Sequence, residues 1–439
     1  MTTFRAWVAL GAAAALAHPL PSDPPAALDA YAELARADLW PGFEAASVPL
    51  ALYDGSRTWL VRHPQPPPEF ERYAESDVFF VEGRHAAIRA NAPVQIHGVW
   101  VAGATVGGGA TPRDDASLVL HEAFHVFQRR RHPSWQGDEG VLLTYPFDDA
   151  DVLAARRLET ESLRRALAET DAAKVERWTI AALEWRERRF ARLSPAEQAY
   201  ERRTELNEGL ARYVEHASLD PRHRPNLPEA GFEVTDLRGR AYETGHAFGV
   251  LLDRFVPGWK QRLEGQDPLS LDRMLADALA DSATEPGEFP YLQAAVERRA
   301  RANVDALVRE RAATREAFVA DERWRVVIEL GNPMFAEGFD PMNLTVLGGG
   351  EILHTRWLKL TAGHSFVEAE GHPALTEPLG AHPLQDGVKR VTVGGFEERP
   401  EARFEAGAVL VAAPGFSARL QGAQMTFEGQ VLRVLARRR

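Results

Sequence analysis

A short segment of the chain has the residue types and spacing of a metal-dependent hydrolase. Residues 121–125 read His-Glu-Ala-Phe-His, which matches the H-E-x-x-H pattern of zinc-binding helices. Because residues four apart share one face of a helix, the imidazoles of His121 and His125 could bind the same ion. Glu122 is then placed to accept a proton from a water molecule that the ion activates. The segment predicts two ligands of one zinc ion and a general base.

The signals around this segment predict a well-defined helix. Thr111 can cap its first turn, and Pro112 suits the first helical position. Acidic residues at 114–115 and basic residues at 129–131 suit the two ends of the helix dipole, and Pro133 stops the helix. The residues between are apolar nearly all round, as in a helix inside a protein. Two histidines and a glutamate in such a helix need polar partners.

A zinc ion that activates water needs a third protein ligand besides the two histidines. One common arrangement, H-E-x-x-H-x-x-G-x-x-H, is excluded because Gln128 and Arg131 stand at the positions of the glycine and the third histidine. Another arrangement takes a glutamate from a later helix. Residues 204–211 read Thr-Glu-Leu-Asn-Glu-Gly-Leu-Ala and offer Glu205 and Glu208. The two carboxylates lie three residues apart on one predicted helical face, so Glu205 is a rival ligand or a partner that orients an imidazole.

Taken together, the two segments resemble those of the gluzincin metallopeptidases, which include thermolysin-like and aminopeptidase-N-like enzymes. The third zinc ligand of this family is typically the glutamate of an Asn-Glu or Asn-Glu-Gly-x-Ala segment, a pattern that the second segment contains. The resemblance implies His121, His125 and Glu208 as ligands of one Zn²⁺ and Glu122 as general base. Residues 97–104 lack the Gly-x-Met-x-Asn segment with which aminopeptidases hold a free amino terminus. Aminopeptidase activity is therefore not implied.

A peptide hydrolase also needs a hydrogen-bond donor for the oxyanion of its tetrahedral intermediate. Tyr242 and His246 lie four residues apart on a predicted helix, and either could donate. The Tyr-x-x-Gly pattern, followed by Leu-Leu-Asp at 251–253, is similar to the helix that carries the transition-state tyrosine in aminopeptidase-N-like enzymes. The resemblance favours Tyr242, and a buried tyrosine with a satisfied hydroxyl is the alternative.

The elements that must position these residues predict an α+β fold. Runs of β-branched and aromatic residues between turn signals predict a small mixed or antiparallel sheet before the motif helix, at 48–53, 58–62, 77–81 and 93–106. The last strand could hold an extended peptide at a sheet edge. Helical spacing predicts three helices over 148–219, with breaks near 170–172 and 194–195, and further helices at 240–255, 270–280 and 289–321. From Trp324 onward, short apolar runs between glycine and proline predict a β-sandwich-like domain.

These elements predict four segments along the chain. They are a signal peptide over 1–17, the mixed-sheet part of a catalytic domain over 18–110, a helical metallopeptidase core over 111–321 and a C-terminal β domain over 322–439. The signal peptide rests on a short apolar run before small residues, with cleavage after Ala17. An uncleaved N-terminal anchor is the alternative. Cleavage predicts a secreted or periplasmic protein.

Composition excludes several classes of protein. The 63 acidic residues against 51 basic ones give a formal charge of −12, which argues against nucleic acid or anionic membrane as the main partner. There is no cysteine, so disulfides and thiol catalysis are excluded. Apart from the N-terminal run, which is itself too short, the chain has no apolar run of the length that a membrane helix requires. The sequence specifies no oligomeric state.

The sequence therefore predicts an exported, zinc-dependent metallopeptidase that acts on a peptide or protein substrate. One alternative is a non-catalytic exported binding or envelope protein on a peptidase scaffold. The intact Glu122 argues against it, because such a scaffold has no chemical need for a base. A zinc hydrolase of non-peptide amides or esters is the third hypothesis.

Overall fold

The computed structural model describes residues 24–219, 224–265, 270–340 and 343–436, and the predicted signal peptide lies outside them. The predicted α+β class is confirmed, with a mixed sheet and helices, then a helical region and a C-terminal antiparallel sheet domain. Two compact units divide the chain: Met1–Pro133 with Ala211–His223, and Ser134–Leu210 with Arg224–Arg439. Within the described ranges, no helix combines the length and apolarity that a membrane span requires.

The helices follow most of the predicted boundaries. The α-helices in the described ranges are α1 (Ala27–Leu34), α2 (Pro112–Arg131), α3 (Ala150–Ala168), α4 (Ala172–Phe190), α5 (Pro195–Thr204), α6 (Leu210–Leu219), α7 (Leu237–Phe255), α8 (Trp259–Gly265), α9 (Leu271–Ala278) and α10 (Leu292–Ala320). A π-helical turn, Glu205–Gly209, joins α5 to α6. The sequence predicted neither this turn nor α8.

The first unit contains a six-stranded sheet beside the motif helix. Its strands are β1 (Leu50–Tyr53), β2 (Arg57–Val61), β3 (Glu71–Arg72), β4 (Val78–Glu82), β5 (Ala92–Ile96) and β6 (Val99–Thr105), in the spatial order β3-β4-β2-β1-β6-β5. The β1–β6 pair is parallel and the other pairs are antiparallel. The sheet is therefore mixed.

The single strand predicted over 93–106 is a hairpin instead. Strands β5 and β6 pair antiparallel around a two-residue turn formed by His97 and Gly98. The φ angles of these two residues are 47° and 78°. Two-residue turns with positive φ at both positions match the twist of a hairpin. The prediction failed because His-Gly is not one of the usual hairpin pairs such as Asn-Gly or Asp-Gly, and apolar residues flank it on both sides.

The loop after β6 fixes where α2 begins. The backbone N–H groups of Gly107 and Gly109 donate to the Asp115 carboxylate at 2.7 and 2.8 Å. Thr111 and Asp114 form a reciprocal capping box, and Pro112 occupies the first turn as predicted. Helix α2 then packs against α1 and the β5–β6 hairpin. Local hydrogen bonds thus set the residue at which the motif helix begins, and its packing against α1 and the hairpin buries it.

The second unit contains α3 to α5, α7 to α10 and the C-terminal strands. Helix α3 packs against α4 and α10, and α7 packs against α5, the π turn and α9. The strands are β7 (Trp324–Phe339), β8 (Leu344–Val346), β9 (Ile352–His354), β10 (Trp357–Ala362), β11 (Ser365–Glu370), β12 (Ala374–Pro378), β13 (Val388–Phe396), β14 (Glu401–Glu405), β15 (Ala408–Ala413), β16 (Phe416–Gln421), β17 (Ala423–Glu428) and β18 (Val431–Ala436).

The long strand β7 connects two groups of C-terminal strands. Its first part pairs with β13 and, in parallel, with β18, while its last residues pair with β10. Buried side chains of both groups form one apolar cluster that includes Val326, Leu360, Val391 and Leu432. The predicted run 352–360 is divided between β9 and β10. These strands share a single core because β7 contributes to both groups.

A buried histidine in the β domain is expected to make that domain sensitive to acid. His354 is 1% exposed, and burial lowers its pKa to about 4. Because the unfolded chain takes up this proton first as the pH falls below about 6.5, folding stability is lost between that pH and the folded pKa. Urea denaturation should show a loss of about 2 kcal/mol between pH 7 and pH 5 in the wild type that His354→Gln lacks. Identical pH dependence in the two proteins would contradict this assignment.

Candidate metal centre

The motif residues of α2 all lie inside the protein. His121, Glu122 and His125 are only 4%, 5% and 7% exposed. Removing such groups from water is unfavourable unless they have polar partners or bind an ion. The neighbours of the two imidazoles therefore show what the site can hold.

Each imidazole has a hydrogen-bond partner at Nδ1. His121 Nδ1 lies 3.0 Å from Oε2 of Glu215, a buried residue of α6. His125 Nδ1 lies 2.7 Å from Oε1 of Gln128, one turn further along α2. Carboxylate and amide oxygens can only accept hydrogen bonds, so both Nδ1 atoms carry a proton. The two partners fix the tautomer and the orientation of both rings.

The remaining nitrogens of the two rings converge. Nε2 of His121 and Nε2 of His125 are 3.0 Å apart. When both Nδ1 atoms are protonated, a neutral imidazole presents a lone pair at Nε2, and two facing lone pairs repel each other. A cation between them removes the repulsion. Zn–N bonds of about 2.0–2.1 Å at a tetrahedral ion place two nitrogens roughly 3.3 Å apart, close to the observed separation.

Glu208 completes a group of three potential ligands. His121, His125 and Glu208 are all buried, and one ligand atom from each lies within 4.8 Å of the others. Glu208 precedes Glu215 by about two turns on one continuous helical stretch, so both carboxylates can face the same side. Two imidazoles and a carboxylate could bind a metal ion here. This is the set of three that the resemblance implied.

The π turn separates Glu208 from its rival Glu205. In a π turn each N–H bonds five residues back, so residues three apart no longer share a face. Oε1 and Oε2 of Glu205 accept hydrogen bonds from Arg186, and Oε1 also accepts one from the Thr244 hydroxyl at 2.9 Å. Glu205 is thus held by the helical core and lies outside the group of three. The prediction that Glu205 and Glu208 share one helical face was based on α-helical spacing, which does not apply in a π turn.

Two glycines bring α7 against the π turn. A methyl group added to Gly209 would lie 2.5 Å from Cα of Gly245, and one added to Gly245 would lie 2.5 Å from the carbonyl oxygen of Glu205. Any other residue at either position would push the helices apart. The glycine after Glu208 in the Asn-Glu-Gly segment therefore has a packing role. It permits the close approach of α7, which contains Tyr242.

Tyr242 and Arg238 on α7 both interact with Glu208. Arg238 Nη2 donates to Glu208 Oε1 at 2.8 Å. Burial raises the pKa of the Tyr242 hydroxyl well above its ordinary value, and the charge of Glu208 and a hydrogen bond to it raise it further. Tyr242 is therefore a neutral hydrogen-bond donor at physiological pH. The other predicted donor, His246, lies one turn later on α7 and is 2% exposed.

A buried ionic network surrounds Glu205. Arg186 pairs with Glu159, Glu205 and Asp272, while Arg189 pairs with Glu159 and Glu201. Arg240 of α7 also pairs with Glu159, at 2.7 Å. These side chains are almost completely buried, so each charge depends on its partners. The network links α3, α4, α5, α7 and α9 and thereby holds the start of the π turn.

The sequence missed three residues next to the predicted ligands. They are Gln128, Glu215 and Arg238, which bond to His125, His121 and Glu208 respectively. Helical spacing contained a signal for each, because Gln128 follows His125 by three residues, Glu215 follows Glu208 by seven and Arg238 precedes Tyr242 by four.

Comparison with protein-family models, with curated proteins and with solved structures gives no match. The functional interpretation of this centre therefore rests on its residues and their geometry.

Proposed function

We propose that this protein is a zinc-dependent peptidase of gluzincin type, with His121, His125 and Glu208 as the ligands of one Zn²⁺. The observation that supports this most strongly is the convergence of the two Nε2 atoms at 3.0 Å while both Nδ1 atoms are occupied. Two imidazoles and one carboxylate also form a donor set that suits zinc, and three protein ligands are typical of catalytic rather than structural zinc sites.

The proposed mechanism assigns a role to each nearby side chain. A bound zinc ion would lower the pKa of water and polarise the scissile carbonyl group. Glu122 would accept the proton of the attacking water and pass it to the leaving amine. Tyr242, kept neutral by burial and by Glu208, would donate a hydrogen bond to the oxyanion of the tetrahedral intermediate. His246 is a second possible donor. Arg238 and Asn207, both bonded to Glu208 Oε1, would orient the carboxylate.

The proposal includes export. The signal peptide predicted over residues 1–17 would direct the chain out of the cytoplasm, to the periplasm or the medium. The peptide or protein substrate would then be located outside the cytoplasm.

Metal binding and peptide hydrolysis can be measured together. The protein is stripped with a chelator, dialysed against Zn²⁺ and assayed for metal content and for cleavage of a mixed peptide library by mass spectrometry. We expect one zinc per chain and cleavage that disappears with the chelator and returns with zinc. Failure to bind zinc would refute the ligand assignment. Zinc binding with hydrolysis of esters or simple amides alone would favour the non-peptide hydrolase, and zinc binding without hydrolysis would favour the binding protein.

The partner of His121 is expected to set the affinity for zinc. Glu215 is 7% exposed, and its Oε2 accepts the hydrogen bond from His121 Nδ1 at 3.0 Å. Glu215→Ala should weaken zinc binding about 10- to 100-fold, because the ring loses its orienting acceptor. Competition with a chromogenic chelator measures this directly. Glu161→Gln, a buried carboxylate that pairs with Arg164 and Arg165, is the matched control. Equal affinities would show that Glu215 has no such role.

A further inference from the structure

Arg238 is the half-exposed cation of the candidate site. Its side chain is 49% exposed, whereas Glu208, to which its Nη2 donates, is 7% exposed. An arginine side chain stays protonated in proteins. The guanidinium is therefore charged, with one edge on a candidate metal ligand and about half of the side chain accessible to solvent. A planar group with several parallel donors is suited to binding a carboxylate.

Nη1 of Arg238, the nitrogen that does not bond to Glu208, lies close to another carboxylate. Nη1 lies 3.4 Å from Oε1 of Glu139, whose side chain is 52% exposed. The long distance and the exposure of both partners identify a weak ion pair, which contributes little to stability. Tyr200 donates to the other oxygen of Glu139 at 3.1 Å. A carboxylate oxygen can thus reach Nη1 of Arg238. Because the ion pair with Glu139 is weak, another carboxylate can replace Glu139 there.

The segment that carries Glu139 is held by the C-terminal β domain. Glu139 begins a short 3₁₀ helix, Glu139–Leu143, and Leu143 packs on the apolar core of the β strands. Nδ1 of His382 accepts from the N–H groups of Leu384 and Gln385, so its Nε2 carries the proton and donates to the Gly140 carbonyl at 3.3 Å. The β domain therefore positions Glu139 next to Arg238.

We infer that Arg238 binds a carboxylate of the substrate, and that Glu139 occupies this position until the substrate arrives. This inference rests on the proposed peptidase function and names its substrate class as peptides with a carboxylate close to the scissile bond. The carboxylate is either the C-terminal group or the side chain of aspartate or glutamate. Since Arg238 donates to Glu208 through Nη2, a carboxylate on Nη1 lies within roughly 7 Å of Glu208, about the length of two residues.

The test uses binding, so that it does not depend on hydrolysis. Zinc-loaded Glu122→Gln protein is titrated with fluorescent peptides in matched pairs: a free C-terminal acid against its amide, and an internal glutamate against glutamine. We expect about tenfold tighter binding for the acid member of one pair, and the pair that responds identifies the source of the carboxylate. Adding Glu139→Gln removes the competing anion and should tighten binding of the acid peptide severalfold without changing the amide. Adding Arg238→Met should abolish the preference.

Each outcome decides the inference. Because Arg238 contacts a proposed ligand, the zinc content of the Arg238→Met protein is also measured. If that protein has lost zinc, the Glu139→Gln protein alone tests the inference. Equal binding of acid and amide in that arm, or binding of neither, overturns the inference. Peptide hydrolysis by the wild type without any acid preference would overturn this inference alone. Acid preference in a protein that hydrolyses no peptide would retain carboxylate recognition and reject the peptidase.

Discussion

Replacing Glu122 by glutamine is expected to lower kcat for peptide hydrolysis about 10²- to 10⁴-fold while the protein still binds one zinc ion. Glutamine has nearly the same shape as glutamate but cannot accept the proton of the attacking water. Glu122 is 5% exposed and lies next to His121 on α2, so its replacement leaves both imidazoles and their Nδ1 partners in place. The loss should therefore appear in kcat and spare the metal content.

Single-turnover kinetics and metal analysis on the same samples measure this effect. Glu197→Gln is the matched control, since Glu197 is also a buried carboxylate, but one that belongs to the capping box of α5. The control should retain wild-type kcat and zinc. A Glu122→Gln protein that keeps full activity at full zinc occupancy would show that another group is the base.

Substitutions of the two neighbouring glutamates are expected to separate metal binding from folding. Glu208→Gln should weaken zinc binding by more than about 100-fold, because a proposed ligand contributes more than the residues that orient ligands. The effect on the free energy of unfolding should be small, since the Arg238 partner of Glu208 is half exposed and can be hydrated.

Glu205→Gln should show the opposite pattern. Its carboxylate bonds to Arg186, whose side chain is 2% exposed, so the variant leaves a buried charge with fewer partners. We expect a loss of about 3 kcal/mol in the free energy of unfolding, at the lower end for a broken buried pair because Glu159 and Asp272 still contact Arg186. Zinc affinity of the folded protein should change little. Chelator competition and urea denaturation of both variants provide the comparison, and the reverse pattern would make Glu205 the ligand.

Most elements of the fold were predictable from local signals. The breaks near 170–172 and 194–195 fall where α4 and α5 begin, because Asp171 and Ser194 cap those helices. Turn signals failed where the turn lacked one of the usual residue pairs, as at His97 and Gly98. In the β domain, β7 is far longer than the predicted run 324–330. Its length depends on pairing with three other strands, and pairing between distant segments is not encoded locally.

The sequence by itself determined α2 and the placement of His121 and His125 on one of its faces. The cap at Thr111, the proline in the first turn and the spacing of His121 and His125 are all local properties, because a helix brings residues four apart together without help from the rest of the chain. The expectation of two histidine ligands and a base at Glu122 came from this spacing and from the signals of the helix around it, and the third ligand came from the resemblance to gluzincins.

The tertiary structure decided which carboxylate joins the histidines and what holds them. The π turn directs Glu208 and Glu205 to different surroundings, and no local signal in the sequence predicts a π turn, which is a rare conformation. Its packing depends on the contact between Gly209 and Gly245, which lie on separate helices. Glu215 reaches His121 in the same way, across elements far apart in the chain. These contacts follow from how the helices pack, and spacing along one helix does not contain that information.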